Sequence, residues 1–184
     1  MIDMKKVAFL FIIMIAAAAC SSVKVSSDFD KAASFASYKT YTFTDEALTL
    51  PLDDLNRNRL IDAVTAELAA KGFTKQDGNP DVLININIKA EKKQTATATS
   101  TGGYGYGAGY RYGGWGGYGG STYISYDSYT DGTLFIDMID ASKKQLVWQG
   151  RGTKTIDENA SQDKREKNIA YAVKQIFMNY PPKF

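Results

Sequence analysis

The segment Asp81 to Ala90 alternates without a break. Val82, Ile84, Ile86 and Ile88 project to one side of an extended chain, and Leu83, Asn85, Asn87 and Lys89 to the other. A strand of this kind has one apolar face that other elements of the chain must cover. No disulfide can reinforce that cover, because the 184 residues contain one cysteine, Cys20. Stability therefore has to come from core packing, which a chain of this length can supply.

The covering elements are two segments with helical spacing. In the first, Asp53 or Asp54 can cap the N-terminus, Leu60, Ile61, Val64 and Leu68 form an apolar stripe, and Gly72 stands at the C-terminal stop. In the second, Ser161 caps a stripe of Ile169, Val173, Ile176, Phe177 and Tyr180, closed by Pro181 and Pro182. Further strand signals lie at Lys39 to Thr44, with Tyr41 and Phe43 at period two, and at Ser121 to Tyr129. Gly132 to Ile139 places Leu134, Ile136 and Met138 on one face and Phe135, Asp137 and Ile139 on the other. After a turn at Ala141 to Lys144, Gln145 to Ile156 returns as a strand. Residues 133–156 thus read as an antiparallel hairpin, with Gly150 and Gly152 as bulge positions and Trp148 packed at the core edge. The predicted architecture is α+β: a mainly antiparallel β-sheet with two α-helices packed on one face.

Between these strands, residues 101–120 form a Gly/Tyr-rich tract that cannot build a core, and it reads as a mobile excursion joining two strands. Its aromatics, Tyr104, Tyr106, Tyr110, Tyr112, Trp115 and Tyr118, together with Arg111, offer flat faces for stacking and cation–π contact. They are the candidate contact residues for a glycan, a peptide, another envelope protein or a second copy of the tract.

The first twenty residues carry an address. Met1 to Lys6 is basic, Val7 to Ala19 is apolar and small, and Cys20 follows. The apolar run is shorter than the roughly 20 residues that a membrane-spanning helix needs. Ala17, Ala18, Ala19 and Cys20 resemble a bacterial lipobox, with Ala17 where Leu is usual. That resemblance implies a signal peptide at 1–19, acylation of Cys20 and a membrane partner reached through it. A tether at 20–27 and a single domain at 28–184 follow. Ser21 after the cysteine, where aspartate would favour inner-membrane retention, implies the outer membrane.

Composition removes most catalytic chemistry. The chain has no histidine, and lipidation uses its only cysteine. Histidine triads, cysteine nucleophiles and nearly every zinc or copper site are thereby excluded, and no metal or cofactor is expected. With 22 Lys plus Arg against 20 Asp plus Glu, the basic clusters at Lys89, Lys92 and Lys93 and at Lys164, Arg165 and Lys167 are interleaved with acids. They read as solvated surface rather than a nucleic-acid face. Three carboxylate groupings remain: Asp28 with Asp30, Asp137 with Asp140, and Asp157 and Glu158 with Asp163. The second could serve a hydrolase of cell-wall or glycan substrates, and the third could gather a hard cation. Turn formation and helix capping explain these groupings as well.

The order of segments adds a resemblance. Asp28-Phe29-Asp30, Phe35, Ser37 to Tyr41, Glu67-Leu68, Lys71-Gly72-Phe73, Pro80-Asp81-Val82, Gly132-Thr133-Leu134, Leu146-Val147-Trp148 and Tyr180-Pro181-Pro182 are together similar to the bacterial lipoproteins grouped as domain of unknown function 4136. The resemblance implies an envelope lipoprotein with an α+β domain and supplies no catalytic residues. The expectation is a non-catalytic binding or assembly module held on a membrane. A carboxylate hydrolase and a cohesive protein acting through the Gly/Tyr-rich loop are the alternatives.

Overall fold

The structure, a computed structural model, describes residues 23–100 and 122–182. Strand β1 spans Lys24–Phe29, and a 3-10 turn at Phe35–Ser37 leads to β2, Thr40–Phe43. Helices α1, Asp45–Leu48, and α2, Asp54–Ala70, follow. Next come β3, Thr74–Lys75, β4, Val82–Ser100, β5, Thr122–Asp140, β6, Gln145–Thr155, and α3, Gln162–Phe177. One six-stranded sheet has the order β1-β6-β5-β4-β2-β3. The four strands from β1 to β4 in that order are antiparallel neighbours, whereas β2 pairs in parallel with both β4 and β3.

The fold is α+β, with two corrections to the expectation. The sheet is mixed because two helices intervene between β2 and β3, and a strand that returns through a helical crossover lies parallel to the one it left. Three helices, not two, are present among the described residues. The extra one, α1, is a single turn started by Thr44, whose hydroxyl accepts from the Ala47 amide at 3.2 Å. Strand β1 lies along β6 from Lys24↔Thr153 to Phe29↔Trp148.

Local chemistry sets the helix ends. Asp53 caps α2 by accepting from the Asn56 amide at 3.0 Å. Gly72, at φ +86°, ends it: the Gly72 amide donates to the Ala69 carbonyl at 2.9 Å and the Phe73 amide to the Leu68 carbonyl at 3.0 Å. Ser161 caps α3.

The core lies between one sheet face and the helices. Val82, Ile84, Ile86, Ile136 and Met138 meet Leu60, Val64 and Leu68 of α2 and Val173, Ile176 and Phe177 of α3. Trp148 sits at its centre rather than its edge, fully buried, stacked on Phe177 at 5.7 Å and edge-on to Tyr180 at 5.3 Å. The bulge is also elsewhere than expected. Met138 pairs with Trp148 and Ile139 with Leu146, so Val147 is the extra residue, and both Val147 and Trp148 enter the core. Gly150 and Gly152 pair regularly with Ile136 and Leu134. They are glycines because α3 lies directly on them. A Cβ at Gly150 would overlap Ile176 Cγ2 and Trp148 Cη2, and one at Gly152 would stand 3.0 Å from Ile176 Cδ1.

Strands β4 and β5 stay in register over their full length, from Val82↔Asp140 to Ser100↔Thr122. The pairing of β6 with β5 stops at Asp131↔Thr155, and that of β2 with β4 at Ile84. The rest is a two-stranded ribbon roughly 30 Å long at about 3.3 Å per residue. Residues 91–99 and 123–129 of the ribbon are exposed, including Tyr123 and Tyr126.

Candidate functional site

Near the base of the ribbon, the N-terminal halves of α2 and α3 flank a gap over the sheet. The apolar stripes of the sheet and the two helices do not close there, and they enclose a cleft of about 460 Å³, within the usual size range of small-molecule sites. Ile88, Leu134 and Gly152 form its floor, Leu52 and Leu60 line the α2 side, and Ile169 and Ala172 line the α3 side. Ile156 and Ala160, in the loop between β6 and α3, cover its outer end, and Val23 stands at its lip. The floor residues Ile88 and Leu134 are only half buried, although they continue the same alternation as the fully buried Ile86 and Ile136.

Polar groups at the rim are occupied by one another. Lys154 Nζ donates to Asn168 Oδ1 at 2.8 Å, Lys164 Nζ to Asp157 Oδ2 at 2.7 Å, and Arg165 Nη2 to the Glu158 carbonyl at 3.2 Å. Thr130, at the base of the ribbon, donates its hydroxyl to Glu158 Oε1 at 3.2 Å. The Asn56 side chain donates to Asp53 and accepts from Arg59. The Lys164 ammonium holds the Asp157 carboxyl below its usual range, as expected for an exposed charge pair. The site is therefore apolar within and internally paired at its edge. It can hold hydrocarbon, and it presents no aligned acid, base or nucleophile.

The carboxylates singled out in the sequence go elsewhere. Asp137 and Asp140, three residues apart on β5, lie on opposite faces of the sheet. Asp140 is buried among donors: Ser142 Oγ at 2.6 Å, the Ser142 and Lys143 amides at 3.0 and 2.9 Å, and Tyr38 Oη at 2.9 Å. Those bonds, led by the Ser142 hydroxyl, pull its pKa down to about 2, which makes it a turn-holding anion rather than a proton shuttle. Asp137 accepts from Gln149 Nε2 at 2.7 Å and Asn85 Nδ2 at 3.4 Å on the other face. Asp28, within β1, accepts the Phe29 amide, and Asp30 accepts the Ala32 amide in the turn that follows. Asp163 sits in the first turn of α3, while Asp157 and Glu158 face separate partners. Among the described residues no group of three or more such side chains gathers as a metal site.

Cys20 and the contact residues Tyr104, Tyr106, Tyr110, Arg111, Tyr112, Trp115 and Tyr118 lie outside the described residues. The described chain reaches toward them from both sides, through Val23 at the cleft and through the Ser100↔Thr122 pair at the ribbon's end. Among the described residues no helix is long and apolar enough to cross a membrane.

The family described as Domain of unknown function (DUF4136) matches residues 25–182, from the second residue of β1 to the segment after α3. The chain belongs to the DUF4136 family. The match takes in the cleft's floor, both helical walls and the loop over its outer end, so the site is built from the DUF4136 domain itself. No curated protein matches the chain. Among solved structures, the DUF4136 domain is similar to a PDZ domain protein from Parabacteroides distasonis, with a TM-score of 0.54 and 15% identity. That alignment covers 88% of this chain and 36% of the other, so the chain spans about a third of that protein's length, and the likeness concerns the fold. A PelC dodecamer from Paraburkholderia phytofirmans aligns with a TM-score of 0.44 and 12% identity, over 85% of this chain and 95% of that one.

The sequence reading did not find the cleft. Every apolar wall residue belongs to a stripe that also supplies the core, and period alone does not tell where covering helices stop.

Proposed function

We propose that this protein is a membrane-anchored envelope lipoprotein, held in the outer membrane through acylated Cys20, whose domain binds an apolar ligand without transforming it. One observation carries the binding role: a cleft with apolar walls whose rim polar groups already hydrogen-bond to neighbouring protein groups. The anchor reading is supported by the basic, apolar and small-residue order that ends at Cys20. Two or more acyl chains would give stable attachment where one gives only reversible binding.

The binding role is tested with an apolar fluorophore, N-phenyl-1-naphthylamine, added to the purified mature protein. Saturable enhancement is expected, and it should fall at least tenfold in Ala172→Trp, which fills the cleft. Enhancement equal in both proteins would overturn it. The anchor is tested by intact mass of protein from a native host and by fractionation of Cys20→Ser. An unmodified thiol would remove the anchor while leaving the cleft result standing.

A cohesive role is favoured by one further observation, the uncharged run Gln94 to Ser100 paired with exposed Tyr123, Ile124 and Tyr126 on a ribbon that leads into the Gly/Tyr-rich tract. Self-association that depends on concentration and disappears when the tract's tyrosines become serine would establish it.

A further inference from the structure

We infer that the cleft is the seat of one acyl chain of the protein's own Cys20 anchor, occupied while the protein is off the membrane. The inference rests on the lipoprotein reading and adds the identity of the occupant. Three observations lead to it. The walls, Leu60, Ile88, Leu134, Ile169 and Ala172, offer only methyl and methylene contact. The charged lining groups are already hydrogen-bonded within the protein, Lys154 to Asn168, Asp157 to Lys164, Arg165 to the Glu158 carbonyl and Glu158 to Thr130. A plain hydrocarbon chain needs none of them.

The third observation is reach. Val23 lines the cleft and packs over Gly152, where its Cγ1 would stand 3.2 Å from an added Cβ. Two residues, Ser21 and Ser22, separate Val23 from Cys20, and the three peptide steps span at most about 11 Å in a fully extended chain. A chain attached to Cys20 is thus delivered at the lip of the cleft, and tethering gives it a high effective concentration there. A free lipid from solution has no such advantage.

The energetics fix when the seat is used. In a bilayer an acyl chain is already surrounded by hydrocarbon, so moving it into the cleft gains little. In an aqueous compartment the same chain is exposed to water, and the cleft is the apolar volume closest to it. The cleft therefore shields the anchor in transit and empties when the anchor inserts.

The test uses the full-length protein made in a native host supplied with a diazirine-bearing palmitate analogue, as equal amounts of nitrogen-14 and nitrogen-15 protein. The two are purified, freed of detergent, mixed and irradiated, and the cross-linked peptides are identified by mass spectrometry. The expected result is a link between the lipidated Cys20 peptide and peptides carrying Ile88, Leu134 or Ile169, always within one isotopic copy. Its yield should fall at least fivefold in Ala172→Trp. Lipidated Cys20 with links spread over the surface or between copies would overturn the inference and leave the anchor intact. Cleft peptides joined to free phospholipid would likewise overturn it, by assigning the seat to another lipid. An unmodified Cys20 would remove the anchor reading and this inference together.

Discussion

Tyr38 Oη donates to Asp140 Oδ2 at 2.9 Å, a buried contact between residues 102 positions apart. It ties the turn before β2 to the β5–β6 turn across the sheet. Burial first, and then this bond to an anion, push the Tyr38 hydroxyl up to about 12, while Asp140 is held at about 2. The Asp140 contribution is present above its unfolded value near 4 and is lost as pH falls toward 2. The Tyr38 contribution is present below about 10 and is lost as pH rises toward 12. Urea midpoints should therefore be flat between about pH 4 and 10 and fall on both sides. In Tyr38→Phe the plateau should drop by about 1–3 kcal/mol and the alkaline fall should become shallower, with part remaining because burial also raises Tyr180. An unchanged alkaline limb would refute this account.

Gly150 and Gly78 separate packing from mere replacement of glycine. A methyl at Gly150 runs into Ile176 and Trp148, whereas one at Gly78 meets nothing within 4 Å. Gly150→Ala is expected to cost about 1–3 kcal/mol, the usual range for overpacking. Gly78→Ala should stay within about 0.5 kcal/mol. Denaturant titrations of the two proteins decide the matter, and equal effects would show that α3 does not press on β6.

Gly72 tests the backbone alone. No atom would touch an added Cβ there, but its φ of +86° is disfavoured for a residue that carries one. Gly72→Ala should lose about 1 kcal/mol, and Gly72→Asn less, because asparagine tolerates the left-handed region. The comparison is read from thermal unfolding, and a neutral alanine would place the end of α2 elsewhere.

The ribbon is expected to contribute little to the stability of the body. Replacing residues 94–128 with an Asn-Gly turn removes only side chains that are exposed among the described residues. The change should be no more than about 1 kcal/mol, because exposed positions away from core features are nearly neutral. A cooperative loss of structure in circular dichroism would mean that the ribbon supports the core.

Much of the fold could be read from local chemistry. Asp53, Gly72 and Ser161 bound the two long helices where capping rules place them, since each acts on amides or carbonyls within a few residues. The alternation from Val82 to Ile88 names its own buried face, and the resemblance to family 4136 was carried by residues along the whole domain. The site was far less legible. Asp137 and Asp140 look like a pair in sequence, but the strand's period of two sends them to opposite faces.

What the sequence determined by itself was local and periodic: the two long helices with their caps, the strand character of the central segments, and which face of each is apolar. The tertiary structure alone decided that β2 lies parallel to its neighbours and that Val147 rather than a glycine forms the bulge. It also decided that the two long helices leave Ile88 and Leu134 facing a cleft. These depend on how far one layer extends over another, a relation between distant segments. A residue in a continuous apolar stripe has the same local signature whether a helix covers it or leaves it facing a cleft.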